Sequence, residues 1–231
     1  MATKTLYTAI GRFERRRNGC GRCCPVIILG GTEYMADMQE MVIWSSLNWR
    51  ISRKEEIGAL YQKACQASDF TAERSWEACV DRLVVRGLLV CGFGETEYDA
   101  LYDLLASLYI IPAEDSLPLR LLSFCKLTLL NHVPFSAARK LFQKDRRTAK
   151  EKQVMQLARQ ALLSTAEIIK CAEKGIHSLP DEESILSGLY DDPYTTSDNI
   201  SNLVKASPST EAVTLAVANL YLRQQIIFER I

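Results

Sequence analysis

Three groups of basic residues carry the clearest chemical potential in this 231-residue sequence. The first is Arg12, Arg15, Arg16, Arg17 and Arg22, five arginines within eleven residues with one acid among them. The second is Arg50, Arg53, Lys54 and Lys63, joined further on by Arg74, Arg82 and Arg86. The third runs from Arg139 and Lys140 through Lys144, Arg146 and Arg147 to Lys150 and Lys152. Clustered guanidinium and ammonium groups suit phosphate, and a nucleic acid is the commonest polymer that presents it in series. The competing reading of each cluster is a solvated charged face. The net charge of zero, 28 bases against 28 acids, confines any phosphate footprint to a local patch.

The cysteines offer a second chemistry. Cys20, Cys23 and Cys24 form a Cys-x-x-Cys-Cys run, and thiolates at that spacing suit one corner of a zinc site. A closed site needs four ligands, and the sequence holds no second Cys-x-x-Cys pair and no His-x-x-x-His. Cys20, Cys23 and Cys24 are therefore weak metal candidates, and nearby arginines would also favour a redox-active thiolate. Cys65, Cys79, Cys91, Cys125 and Cys171 fall on apolar patterns and read as core thiols. His132 and His177 lie in no nucleophile or metal motif, and no phosphate-binding glycine loop is present. Nothing here marks an enzyme, and no cofactor is implied.

The elements that position these residues read as mainly α with short β, an α+β arrangement. Leu6 to Phe13 is a strand candidate, Glu14 to Gly19 a charged turn, and Val26 to Leu29 a second strand that pairs with the first as a hairpin. Asp37 and Glu40 have capping-box spacing ahead of Met41, Ile43, Trp44 and Leu47. A second helix fits residues 53–66, with Ser52 as N-cap. A third starts at the N-cap candidate Thr71, carries Trp76, Val80, Leu83 and Val84 on one face, and stops at Gly87. Leu88 to Cys91 then reads as a buried strand, and Gly92-Phe93-Gly94 as a turn or the start of a wing. Thr96 and Asp99 cap a further helix through Tyr109, ended by Pro112.

Three helices, a strand and a glycine turn in this order resemble a winged helix-turn-helix domain, best over residues 35–95. The resemblance stays at superfamily level. It implies a DNA-binding transcription regulator that reads the major groove with helix 71–86. Thr71, Arg74 and Ser75 are then the candidate reading residues, with Arg15, Arg16, Arg17, Arg53 and Lys54 on the backbone. Glu73, Glu77 and Asp81 on the same helix oppose phosphate. The alternative is a non-enzymatic protein–protein adaptor whose winged helices do not bind DNA.

The second half reads as helical. Domains are expected at 1–112, 113–178 and 179–231. Helices fit residues 119–131 and 136–144, and the Thr148/Glu151 box opens a long helix over 149–174. Its seam of Val154, Leu157, Ala161, Ile168 and Ala172 suits either a homodimer through the C-terminal helices or packing within the chain. The last fifty residues suggest a degenerate second copy of the first unit. Ile185 and Leu189 match its first helix, and Val213 to Tyr221 and Ile226-Ile227 lie 137 positions after Trp76 to Val84 and Leu89-Val90. Without a signal peptide or an unbroken apolar span, a cytoplasmic location away from the membrane is expected.

Overall fold

Both capping boxes form as their spacing requires. At Asp37 the side chain accepts from Glu40 N at 3.0 Å while Glu40 Oε2 accepts from Asp37 N at 3.2 Å, and Thr148 and Glu151 do the same in the second half. The computed structural model describes residues 3–17, 23–67, 73–113 and 147–230. The expected helices 119–131 and 136–144, together with Thr71, Cys20, Arg22, and Arg139 to Arg146, lie outside these residues.

The described chain is mixed α/β with three small antiparallel sheets. Strand β1 (Lys4–Ala9) is followed by a meander of β2 (Arg12–Arg17), β3 (Cys23–Leu29) and β4 (Thr32–Met35). Helix α1 (Met38–Leu47), strand β5 (Ser52–Arg53), α2 (Lys54–Ala67), α3 (Trp76–Val85) and β6 (Leu89–Gly94) come next. Helix α4 (Glu97–Leu105) leads to β7 (Tyr109–Pro112). The remainder is α5 (Ala149–Gln160), β8 (Leu163–Ser164), α6 (Thr165–Glu173), α7 (Glu182–Leu189), α8 (Ile200–Leu203), α9 (Thr210–Leu222) and β9 (Ile226–Glu229).

A six-element unit occurs twice. In the first copy β1, α1, β5, α2, α3 and β6 give a sheet ordered β5-β1-β6; in the second β7, α5, β8, α6, α9 and β9 give β8-β7-β9. The registers agree. Ala9 faces Leu89 as Pro112 faces Ile226, and Leu6 faces Arg53 as Tyr109 faces Ser164. Asp37, Glu40, Arg53 and Glu56 correspond to Thr148, Glu151, Ser164 and Glu167, each 111 positions on. Arg86, Gly87 and Leu89 correspond to Arg223, Gln224 and Ile226, each 137 positions on. The 137-residue offset is thus real for the third helix and last strand. The first helix of the second copy is α5, however; Ile185 and Leu189 sit on α7, which with α8 is an insertion ahead of α9.

Several expected boundaries move. The strand predicted over Leu6 to Phe13 is two strands, turned at Ile10 and Gly11, and Glu14 to Arg17 extend β2 instead of forming a turn. Of the predicted hairpin only Arg12 and Phe13 pair with the second strand, opposite Ile28 and Ile27, while Leu6 to Ala9 pair with β6 and in part with β5. Ser52 is buried in β5, and it is the Glu56 carboxylate that accepts from Arg53 N at 2.9 Å ahead of α2. Helix α3 begins at Trp76 with Ser75 as its N-cap, the side chain accepting from Ala78 N at 3.2 Å. Gly92 to Gly94 end β6, and the chain enters α4 without turning back as a wing strand. A Cβ at Gly92 would lie 2.3 Å from both Ala100 O and Leu104 N, so glycine lets the α4 backbone press onto the strand. Helix α4 ends at Leu105, and Tyr109 belongs to β7, since its strand partners Ser164 and Glu229 hold it. Strand β7, on the N-terminal side of the expected division at 112, is hydrogen-bonded to β8 and β9 on its far side.

The helix expected over 149–174 is broken. Ala161 is extended, β8 intervenes, and Ser164 with Glu167 forms a new capping box that opens α6. That local signal outweighs the apolar seam. Val154, Leu157 and Ile168 of the seam are fully buried in this chain's own core, with α9 packed on both α5 and α6. One apolar cluster links the copies, from Ile10, Trp44, Leu83 and Leu88 to Leu157, Val217 and Phe228. Each such fully buried aliphatic or aromatic side chain contributes about 1.5–3 kcal/mol. Among the described residues no helix is long and apolar enough to cross a membrane.

Candidate functional site

The arginines of the second cluster surround the N-terminus of α1. Its cap Asp37 is ion-paired with Arg74. Glu40, 1% exposed, receives Arg86 Nη1 on Oε2 at 2.8 Å and Arg82 Nε near Oε1 at 2.9 Å. Arg86 also donates to the Met35 carbonyl at the end of β4. Burial acts to raise the Asp37 carboxyl, but the Glu40 N–H and the Arg74 guanidinium outweigh it and hold it below its ordinary value. Buried Gln39 fixes the approach to α3: its Oε1 accepts from Glu73 N and Arg74 N at 3.1 and 3.2 Å, and its Nε2 donates to Arg74 O and to the Tyr61 hydroxyl. Sequence reasoning missed Gln39, because an amide in the first turn of a helix carries no pattern of its own.

The candidate DNA-binding residues do not form one constellation of unpaired bases. Arg74 is tied to Asp37, and the Ser75 hydroxyl is occupied as a helix cap. Arg53, on β5, is ion-paired with Glu97 of α4. Lys54 opens α2 and lines a polar pocket of about 380 Å³ with Lys4, Tyr7, Arg53, Glu55 and Glu97. Arg16 sits 3.3 Å from Glu14 and 3.0 Å from Glu33, and Arg12 sits 3.4 Å from Glu14. Arg15 and Arg17 are exposed on β2 and have no carboxylate partner among the described residues.

A second, mostly apolar pocket of about 450 Å³ opens beside the start of β2. Phe13, Met41, Trp44, Trp49 and Ile227 form its walls, with Arg12, Ser45 and Asn48 among the polar lining. Both indole N–H groups are already used, Trp44 Nε1 on Ile10 O and Trp49 Nε1 on Ile226 O, each at 3.1 Å. What the pocket offers is apolar surface, chiefly from Phe13 and Trp49, since Trp44 is 1% exposed.

Cys23 and Cys24 lie on β3. Among the described residues no three His, Cys, Asp or Glu side chains converge as a metal ion needs. Burial pushes the thiols of Cys79 and Cys91 up and that of Cys171 up to about 12, which makes thiolate scarce at all three. His177 is exposed and its Nδ1 lies 3.2 Å from Gln153 Nε2.

No family model, no curated protein and no solved structure matches this chain. The reading of its function therefore rests on its own residues.

Proposed function

We propose that this chain is a non-enzymatic protein-interaction module built from two copies of one helix–strand unit. The function that the winged-helix resemblance implies, a DNA-binding regulator reading with residues 71–86, has weaker support, and the alternative, the adaptor, is preferred. One observation carries the choice: the arginines around the would-be reading helix are already matched to carboxylates. Arg74 is held by Asp37, Arg82 and Arg86 by Glu40, and Arg53 by Glu97. Releasing them to phosphate would strip the cap of α1 of its counter-charges and strand Glu40 in the core. Glu73 and Glu77 flank Ser75, the residue that would face the groove first.

In the second copy α9 is buried over most of its surface, with Val213, Val217, Leu220 and Tyr221 in the core, and offers no reading face. Of the seam expected to carry a homodimer, Val154, Leu157 and Ile168 are buried within this chain, and the partner we propose is a different polypeptide. Retention on heparin and binding to random duplex DNA across a salt titration test this reading. We expect weak retention that Arg74→Ala leaves unchanged. Affinity that falls steeply with salt and is lost in Arg74→Ala would establish phosphate contacts and overturn it.

A further inference from the structure

The edge of the β2-β3-β4 sheet combines three features that belong together. Strand β2 is an outer strand, paired only with β3 among the described residues. Side chains alternate along a strand, so Phe13, Arg15 and Arg17 share one face and Arg12, Glu14 and Arg16 the other. The Arg12 face is charge-balanced by Glu14 and Glu33. The Phe13 face is not: it runs from the apolar pocket at Phe13 to two arginines without acidic partners among the described residues.

The backbone adds to this. On an outer strand alternate residues turn their N–H and C=O away from the paired strand, and no strand among the described residues meets that side of β2. Unpaired edge groups are the template for an incoming strand.

We propose that the β2 edge, with the pocket formed by Phe13, Met41, Trp44, Trp49 and Ile227, binds an extended acidic segment of a partner protein that adds as a strand and seats one apolar side chain in the pocket. This rests on the protein-interaction reading above and supplies its site and partner chemistry. Strand addition fixes the spacing. Alternate residues of the added strand meet Phe13, Arg15 and Arg17, so the recognised pattern is two acids and one large apolar residue, each separated by one position. Main-chain hydrogen bonds supply general affinity, while the pocket and the arginines supply selection. A nucleic acid would use Arg15 and Arg17 but leave the apolar pocket and the strand edge unfilled.

The test uses the full chain and two fluorescein-labelled peptides, Thr-Glu-Thr-Glu-Thr-Leu-Thr and its reverse Thr-Leu-Thr-Glu-Thr-Glu-Thr, which present the pattern in the two strand directions. Fluorescence anisotropy should show binding of one order over the other. N-methylating every internal residue of that peptide, which removes all of the strand N–H groups it could donate, should abolish it. The double variant Arg15→Glu/Arg17→Glu should weaken it by roughly tenfold. So should Ser45→Trp, which crowds the pocket from an exposed position. These positions are at the surface, so both variants should keep the wild-type unfolding midpoint. If neither peptide binds, or if the N-methylated peptide or the double variant binds as well as the parent, the proposal fails. If neither peptide binds and duplex DNA is not retained either, only this site assignment falls. Steep, salt-dependent DNA binding lost in Arg15→Glu/Arg17→Glu would replace both readings with a nucleic-acid surface.

Discussion

Arg86 donates to buried Glu40 at 2.8 Å, tying the end of α3 to the cap of α1. The second copy repeats the link: Arg223, at the end of α9, lies 3.5 Å from both oxygens of buried Glu151. In each copy the glutamate also reaches back to the N–H of its own cap residue. One carboxylate thus serves as a cap partner and as the counter-charge that closes the third helix onto the first.

Arg86→Met should expose this coupling. The side-chain volume stays similar, but Glu40 keeps only Arg82 as an ion-pair partner among the described residues. A loss of about 2 kcal/mol in urea unfolding is expected, below the usual cost of breaking a fully buried pair because Arg86 is partly exposed. Adding Glu40→Gln should recover much of that loss, since glutamine still completes a capping box and no charge is left buried. Strictly additive losses in the double variant would show that the two residues are not coupled.

The same alignment pairs Gly87 with Gln224, the residues that stop α3 and α9. Their φ angles are +71° and +59°, in the left-handed region that costs any side chain about 1 kcal/mol. Gly87→Gln should therefore destabilise the protein by about 1 kcal/mol, and Gln224→Gly should leave stability level or raise it by a few tenths. Gln224 is exposed, so little packing is lost in the second case. Thermal unfolding of the two variants checks the pair, and a large loss from Gln224→Gly would contradict the strain argument.

What could be read in the sequence follows from how local each signal is. The boxes at Asp37/Glu40, Thr96/Asp99 and Thr148/Glu151, and the stop at Gly87, depend on residues within one turn, and all form as expected. The 137-residue offset was visible because α3 and α9 each lead straight into a strand through Leu89 or Ile226. The first helix of the second copy was misplaced because α7 and α8 intrude before α9, and α5 lies far upstream. The break at residues 161–164 was hidden because Ala161 fits the apolar seam whether or not the helix continues. By sequence Gly92 fits a turn or the start of a wing, because its role is non-local: α4 packs where a side chain would stand. At the candidate site the arginine clusters were legible. Their carboxylate partners were not, since Arg74 and Asp37 are 37 positions apart and Arg53 and Glu97 are 44 apart.

Tyr221 joins the two copies, and its hydroxyl should matter to both stability and alkaline behaviour. It donates to Ala9 O at 2.9 Å, accepts from Trp49 N at 2.9 Å, and lies 2.8 Å from the Thr8 hydroxyl. Its ring stacks on Phe228 with centroids 4.4 Å apart. Tyr221→Phe keeps the stack but leaves the Trp49 N–H and the Ala9 carbonyl short of a partner, at an expected cost of about 2 kcal/mol. Burial pushes the Tyr221 hydroxyl up to about 12 from its ordinary 10.0. Between those values the unfolded chain loses this proton and the folded protein keeps it, so stability falls as pH rises from about 10 to about 12. The phenylalanine variant should show a shallower alkaline decline, measured by urea midpoints at stepped pH. Equal slopes would mean that Tyr221 does not carry the effect.

The acid limb is assigned in the same way to Asp192. Its carboxylate accepts from the Thr195 hydroxyl at 2.6 Å, from Tyr194 N and Thr195 N at 2.9 and 2.8 Å, and from Lys170 Nζ at 3.4 Å. The Thr195 hydroxyl is the largest influence, burial works against it, and the backbone and Lys170 bonds add to the lowering, leaving the group at about 2 against an ordinary 3.8. A depressed carboxyl contributes stability that is complete above its unfolded value and is lost as pH falls through its folded one. The contribution of Asp192 should therefore be whole above about pH 4 and gone near pH 2. Asp192→Asn removes that titration, and it leaves Lys170, 8% exposed, with Asp191 4.0 Å away and the Thr195 hydroxyl at 2.9 Å. The gap in urea midpoint between wild type and variant should be widest near neutral pH and close as pH drops from about 4 to about 2. Asp37, Asp99, Asp181 and Asp191 are also lowered and titrate in both proteins, so the difference between the two curves isolates Asp192. A gap of constant width down to pH 2 would show that its loop is held by the backbone turn alone.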